Sequence, residues 1–477
     1  STVALMLGEN RTRVLNLTFT GDLEHYGAKL PSASEGLQVA VGTEYRTQFL
    51  RISPDEVNLT GAAGFIGSAE RVSGTVDVKE LFIEALVPIV QDTSGFRDFS
   101  LELGYRYSDY STSGGFNTYK GLLNWAITES WRLRGGYNRA VRAPNIYELF
   151  RPQNQTVSTG DICMNDRETG IPEGTLEECL RTGVTEAQYG NIPPSPNGYI
   201  NSIFGGNPSL EPEEAGTYTA GVVWTPSALP GLSVTADYYD IVITEAVGSL
   251  WAGFVIELCA ENDDPAMCSL IHRDEVGSLW LTDDGYVDET LQNIGRLNAE
   301  GVDLNFSYLI GLGDAGYLNV GLIGTYLLTA RLADPSYDFD CVGYYGGPCG
   351  QANSRWRHRL RATWESNFYL DFSLIWRRIG PAEIYAASSD SDLADPEYLA
   401  VARLNGIDAV SAQDWFDLAL SYTWRKGIQL TVGVNNIFDT EPPLVPDFSS
   451  NPGTAGNIFT SYDPLGRHVF ASLQFAF

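Results

Sequence analysis

Between residues 414 and 435, large apolar and small polar positions alternate strictly. Phe416, Leu418, Leu420, Tyr422 and Trp424 are separated by Asp417, Ala419, Ser421 and Thr423. After Arg425-Lys426-Gly427 the pattern resumes, with Ile428, Leu430, Val432 and Val434 against Gln429, Thr431, Gly433 and Asn435. A β-strand sends successive side chains to opposite faces, so each arm of this predicted hairpin has one apolar and one polar side. Two architectures satisfy that: a soluble sandwich with its apolar faces turned inward, or a barrel whose apolar face meets lipid and whose polar face encloses a lumen. The recurrence of the pattern and the lengths of the connections decide between them.

The same period recurs over 11–20, 37–50, 74–90, 99–109, 116–128, 131–141, 215–225, 231–245, 299–310, 315–329, 355–365, 368–379, 414–425, 427–437 and 466–477. This predicts about fifteen strands, many near the roughly ten residues that a tilted membrane strand needs. Short connections at 128–130, 225–231, 311–316, 365–367 and 425–427 alternate with long ones at 143–213, 246–298, 330–354, 380–413 and 438–465. Bacterial outer-membrane barrels sort their connections this way, with short periplasmic turns and long extracellular loops. The pattern therefore reads as all-β, one antiparallel transmembrane β-barrel portion over 1–477. In the last predicted strand Val469, Ala471, Leu473, Phe475 and Phe477 share a face, ending an apolar stripe on an aromatic residue.

Composition is compatible with this reading. Hydrophobic residues make up 43% of the 477 positions, an unremarkable average because half of every barrel strand is polar. The chain does not begin with Met and no basic, apolar leader precedes Ser1, which suggests a mature product or a fragment. A net charge of −30 disfavours nucleic acid as a partner, since phosphate binding needs basic patches. His25, His272, His358 and His468 stand in unlike settings with no nucleophile motif beside them, so no enzymatic chemistry is expected.

Six cysteines fall into close pairs, Cys163 with Cys179, Cys259 with Cys268 and Cys341 with Cys349, each inside one long connection. Short loops closed in this way suggest three structural disulfides and an oxidising compartment. Zinc would need closer spacing and supporting histidines.

Several stretches together resemble TonB-dependent outer-membrane receptors. RAVRAPNIYELF at 139–150 is similar to the motif that follows a mid-barrel strand in that family, and GGNPSLEPEEAGTYTAGVVWTP at 205–226 to the segment leading into the next strand. AEGVDLNFSY at 299–308, LTVGVNNIFDTEPP at 430–443 and YDPLGRHVFASLQFAF at 462–477 resemble later strands and the terminus, and GTEYRTQ at 42–48 a middle strand. The resemblance implies an outer-membrane location in a Gram-negative bacterium, energy supplied through TonB, and a barrel of about 22 strands with a plugged lumen. The first predicted strand would then be about the eighth of that barrel. Neither a plug nor a TonB-contacting box is recognisable. The expected partners are therefore the plug and remaining strands, on the same or a separate chain, with outer-membrane lipid and the TonB system. An incomplete sheet would leave unpaired backbone groups in lipid, at several kcal/mol each.

Arg355, Arg357, Arg359 and Arg361 share one strand face, opposite Trp356, Leu360 and Trp364, and Arg132 with Arg134 repeat the arrangement. These are lumen-facing candidates, for plug anchoring or for ligand contact, with Asp371 or Glu102 as neighbours able to answer them. Trp251, Trp280, Tyr286, Tyr344 and Tyr345 lie in long acidic loops, where rings serve either as ligand platforms or as loop packing. The acidic loops disfavour anionic chelates and favour neutral or cationic small-molecule, glycan or peptide cargo. Asp283-Asp284-Gly285 lacks the spacing of a calcium loop, and no metal or cofactor is expected. A passive porin and a surface adhesion or assembly scaffold are the alternative functions.

Overall fold

The computed structural model describes residues 5–60, 70–335, 337–391, 393–424, 427–445 and 461–475. Fifteen antiparallel strands follow one another in sequence order across a single sheet. They are β1 (Met6–Asp22), β2 (Gln38–Pro54), β3 (Val72–Thr93), β4 (Phe96–Tyr110), β5 (Gly114–Ala126), β6 (Trp131–Arg142), β7 (Glu213–Trp224) and β8 (Leu232–Gly248). The series continues with β9 (Gln292–Gly311), β10 (Tyr317–Asp334), β11 (Trp356–Glu365), β12 (Leu370–Ile379), β13 (Gln413–Trp424), β14 (Ile428–Asn435) and β15 (His468–Phe475). A short strand, Tyr337–Asp340, folds back on the end of β10. Among the described residues β1 and β15 each pair with one neighbour only. Phe477 and the Arg425-Lys426 turn lie outside the described residues.

Every strand expected from the alternation is present. Register explains the two faces. Leu418 lies opposite Val434, Leu420 opposite Val432 and Tyr422 opposite Leu430, and Leu430 lies in turn opposite Leu473. Apolar positions thus line up across strands and build one continuous outer face, on which Leu81 is 61% and Trp424 60% exposed. A soluble core would bury such side chains. The other face carries the charges. Strand β9 begins well before its alternating segment, at the end that bears the long connections. There β9 starts as Gln-Asn-Ile-Gly-Arg and still pairs with β8, Val247 opposite Asn293, so the ladder continues where the two-sided pattern has stopped.

Two pairs of long connections carry folded structure of their own, which the strand pattern did not predict. Residues 143–212 and 249–291 fold together into one lobe. It has a small sheet of Ile271–His272, Tyr286–Asp288, Ile200–Phe204 and Asn154–Ser158, with helices including Leu176–Arg181 and Ala252–Asn262. Ile200, Val255, Ile256, Leu279 and Val287 form its fully buried core. A second lobe joins Tyr344–Tyr345, Ala382–Ile384 and Ala409–Val410 in a sheet beside the helix Pro396–Leu404. Its core of Tyr345, Ile384 and Ala402 continues onto Trp415 of β13, so this lobe packs on the polar face. These loops escaped the sequence reading because, outside the helix Ala252–Asn262, their elements are only a few residues long and their apolar residues are scattered among Gly, Pro and Asp.

Candidate functional site

Successive registers set Arg134 of β6, Gly221, Asp237, Asp303, Thr325, Arg357 and Ile379 of β12 side by side, one residue per strand, across the polar face. Arg134 forms a two-pronged pair with Asp237, and Thr325 donates to Asp303 at 2.7 Å. Elsewhere on this face Lys120 pairs with Glu102 at 2.7 Å and Arg106 with Glu80 at 3.1 Å. Glu102 is thus committed to Lys120 and does not answer the arginine row. Asp371 lines the same cavity as Arg361, whose Nε donates to Ser373 Oγ at 3.0 Å.

The arginine row lies where the alternation places it. Arg355 stands just before β11, and Arg357, Arg359 and Arg361 follow along its polar face, all exposed. Arg132 is likewise exposed, between Ala126 and Val223. On β12, Arg377 is answered by Asp417 at 2.9 Å and Asp463 at 3.0 Å. Among the described residues Arg357 and Arg359 have no carboxylate at ion-pair distance. Together with Arg377, Trp415 and Asp463 they line a cavity of about 320 Å³ beside the second lobe. Trp415 is 2% exposed, and among the described residues its indole N–H has no acceptor. Sequence reasoning missed Arg377, Trp415 and Asp463, since their meeting depends on a loop that folds back over the strand.

The loop aromatics divide. Trp251 stands free on the first lobe at 66% exposure. Trp280 is half-buried, its indole donating to the Pro193 carbonyl at 3.0 Å, and Tyr286 stacks on His272 with ring centroids 4.5 Å apart. Tyr344 is half-buried, whereas Tyr345 is fully buried and its hydroxyl donates to the Ile407 carbonyl. Tyr345 therefore cannot serve as a platform; its ring fills the lobe core. Burial pushes its hydroxyl pKa up to about 12, and that of Tyr462 likewise.

The expected cysteine pairs are bonded: Cys163–Cys179, Cys259–Cys268 and Cys341–Cys349, with Cα separations of 5.6, 4.9 and 5.4 Å. Within the first lobe Arg273 and Asp161 form an ion pair at 2.9 Å with side chains only 4% and 0% exposed. The lobe is joined to the sheet by two of the stretches singled out in the sequence. Arg142 grips Glu213 with two bonds of 2.6 Å and also reaches Glu148, which closes a capping box with Asn145 at the start of the helix Ile146–Phe150. The Asn207 backbone N–H donates to the Glu148 carbonyl at 2.9 Å.

The family model described as TonB dependent receptor-like, beta-barrel, matches residues 5–437. A search of curated proteins finds no match. Among solved structures, a mutant of the ferric enterobactin receptor PfeA from Pseudomonas aeruginosa superposes with a TM-score of 0.61 at 16% identity, covering 98% of this chain and 54% of that one. The siderophore receptor PirA from Acinetobacter baumannii gives 0.58 at 14% identity, covering 99% and 55%. The FrpB iron transporter from Neisseria meningitidis gives 0.55 at 13%, covering 98% and 55%. The chain spans about half the length of these structures, and at such identities the likeness is one of fold.

Proposed function

We propose, from the premise that the chain belongs to the TonB-dependent receptor β-barrel family, that it serves active uptake of a scarce ligand across the outer membrane of a Gram-negative cell. The short turns would face the periplasm and the lobes the outside, with the apolar face in lipid. The lobes would capture the ligand. A plug, on the same or a second polypeptide, would seal the lumen until TonB moves it. Arg357 and Arg359, without carboxylate partners among the described residues, would answer acidic groups of that plug. The names of the similar structures concern iron and siderophores; whether this chain carries such cargo, a glycan, a peptide or another small molecule is left to the chemistry of its own lobes.

The observation that carries this reading is the second lobe. Its core runs onto Trp415 of the polar face, which also lines the arginine-bearing cavity. A passive porin would keep that route open, and an adhesion scaffold would have no use for a cavity below its loops. The test is twofold in native outer membranes. The protein should cross-link to TonB, and should show no steady ion conductance in planar bilayers. Steady conductance without TonB contact would establish the porin instead.

A further inference from the structure

The helix Ala252–Asn262 buries Ala252, Val255, Ile256 and Cys259 in the first lobe and leaves its other side uncovered. That side carries Trp251, Phe254, Glu257 and Glu261, at the spacing of one helical face. Trp251 is 66% and Phe254 44% exposed. They line a cleft of about 380 Å³ with Glu257, Glu261 and Glu178. Its floor is bare backbone. Gly160, at φ +105°, presses on Gly253 so closely that a Cβ would stand 2.7 Å from the Gly253 Cα. The two glycines let the segment around Gly160 and the start of the helix approach backbone to backbone at one wall of the cleft.

The charge around this cleft is one-sided. Arg273 is spent on the buried Asp161, and the other nearby cation, Arg181, is also engaged. It pairs with Glu177 at 2.8 Å and donates to the carbonyls of Ala260 and Glu261 at 2.6 and 3.1 Å. Glu178 is held by the Thr175 backbone N–H and hydroxyl in a helix cap, which keeps it ionised. Glu257 and Glu261 have no basic partner among the described residues. Exposed ring faces attract cations through their quadrupole, and carboxylates beside them add a Coulomb term. A glycan would use the rings without needing uncompensated carboxylates, and an anion would be repelled.

We infer that this cleft binds an organic ammonium ion, its alkylated nitrogen against Trp251 and Phe254 and its charge answered by Glu257 and Glu261. The inference names a cargo class for the proposed uptake and rests on that reading only in taking the lobe as the place of first contact.

The experiment is choline binding to the purified, detergent-solubilised protein, followed by calorimetry and tryptophan fluorescence, against the uncharged tert-butyl analogue of choline and against glucose. Choline should bind saturably and about tenfold or more tighter than the uncharged analogue. Trp251→Ala and the double change Glu257→Gln with Glu261→Gln should each weaken choline by about tenfold. Trp251 contributes no side-chain cap to the helix and stands in solvent, so the alanine variant should fold, with its disulfides intact as the check. Equal binding of choline and its uncharged analogue, glucose binding as tightly as choline, no choline binding, or unchanged affinity in the Trp251 variant would each overturn the inference. Because binding is read without TonB, TonB-independent uptake would sink the transport reading and leave this site standing.

Discussion

Arg134 and Asp237 meet across an intervening strand, Nε to Oδ1 at 2.8 Å and Nη2 to Oδ2 at 2.5 Å, because the residue between them is Gly221. A Cβ at Gly221 would stand 1.9 Å from Asp237 Oδ1. The glycine is thus an opening for an ion pair two strands wide. The side chains keep 49% and 30% of their exposure, so the pair itself contributes about 1 kcal/mol. Gly221→Leu should cost more than Asp237→Asn, by roughly 1–3 kcal/mol, since it adds a clash to the lost contact. Thermal unfolding midpoints in detergent would show the order; equal losses would mean that the space over Gly221 does not matter.

The buried pair in the first lobe should behave differently. Arg273 and Asp161 are out of water, and Arg273 also donates to the Thr182 hydroxyl and carbonyl and to the Gly277 carbonyl. Removing one partner strands the other charge, at about 3–5 kcal/mol, whereas replacing both by apolar residues of similar size should recover most of that loss. Hydrogen exchange should show Asp161→Ala loosening the segments around 161, 182 and 273 while β6 to β9 keep their protection. A variant lobe with unchanged exchange would show that the pair is dispensable.

The strands were legible because lipid and lumen impose two chemistries on one chain at a period of two. Leu418, Leu430 and Leu473 could be assigned to a face from the sequence, and the register agrees. Arg357 and Arg359 followed from the same period. Trp415, Arg377 and Asp463 did not, because Asp463 arrives from a loop some 86 positions away from Arg377. Tyr344 and Tyr345 show the limit most plainly. They are adjacent and chemically identical, yet one is half-buried and the other sealed, and only the small sheet with Ala382–Ile384 separates them. Periodicity reports which face a strand residue takes, and a strand of two residues is too short to show one.

The disulfides should staple the lobes and leave the sheet alone. Cys163–Cys179 closes a span of 16 residues, for which the chain-entropy model gives about 3 kcal/mol. Intact protein treated with an alkylating agent should leave all six cysteines unlabelled until it is reduced. Serine at Cys163 and Cys179 should expose the 160–198 region to limited proteolysis while the strands stay protected. Labelling of the unreduced protein at all six positions would remove the staples from the account.

Alkaline pH should open the second lobe first. Burial raises the hydroxyls of Tyr345 and Tyr462 to about 12, against roughly 10 in an unfolded chain. A folded-state pKa above the unfolded one means stability that is complete below about pH 10 and is lost as the pH rises through about 12. Absorbance at the tyrosinate band should therefore show exposed tyrosines titrating near pH 10 and a late, cooperative step that coincides with a change in Trp415 emission. Tyr345→Phe removes the hydroxyl that bonds the Ile407 carbonyl. It should lower lobe stability by about 1 kcal/mol at neutral pH and remove its share of the late step. A late step of unchanged size in that variant would move the effect to another tyrosine.

Charge reversal on β11 tests what the unanswered arginines are for. Arg357 has Thr325 and Ile379 as cross-strand neighbours and Arg359 has Ile323 and Arg377, so neither gains a carboxylate from the adjoining strands. If they hold an acidic surface of the plug, Arg357→Glu with Arg359→Glu should weaken its retention by roughly 2 kcal/mol or more. Arg132→Glu, with Ala126 and Val223 beside it and away from the cavity, should change retention little. Co-purification of the plug at rising salt measures this directly, because a charge-held contact weakens as screening increases. If the double reversal retained the plug as firmly as the native chain at every salt concentration, these arginines would have to serve the ligand instead, and the same variant should then lose uptake with its plug in place.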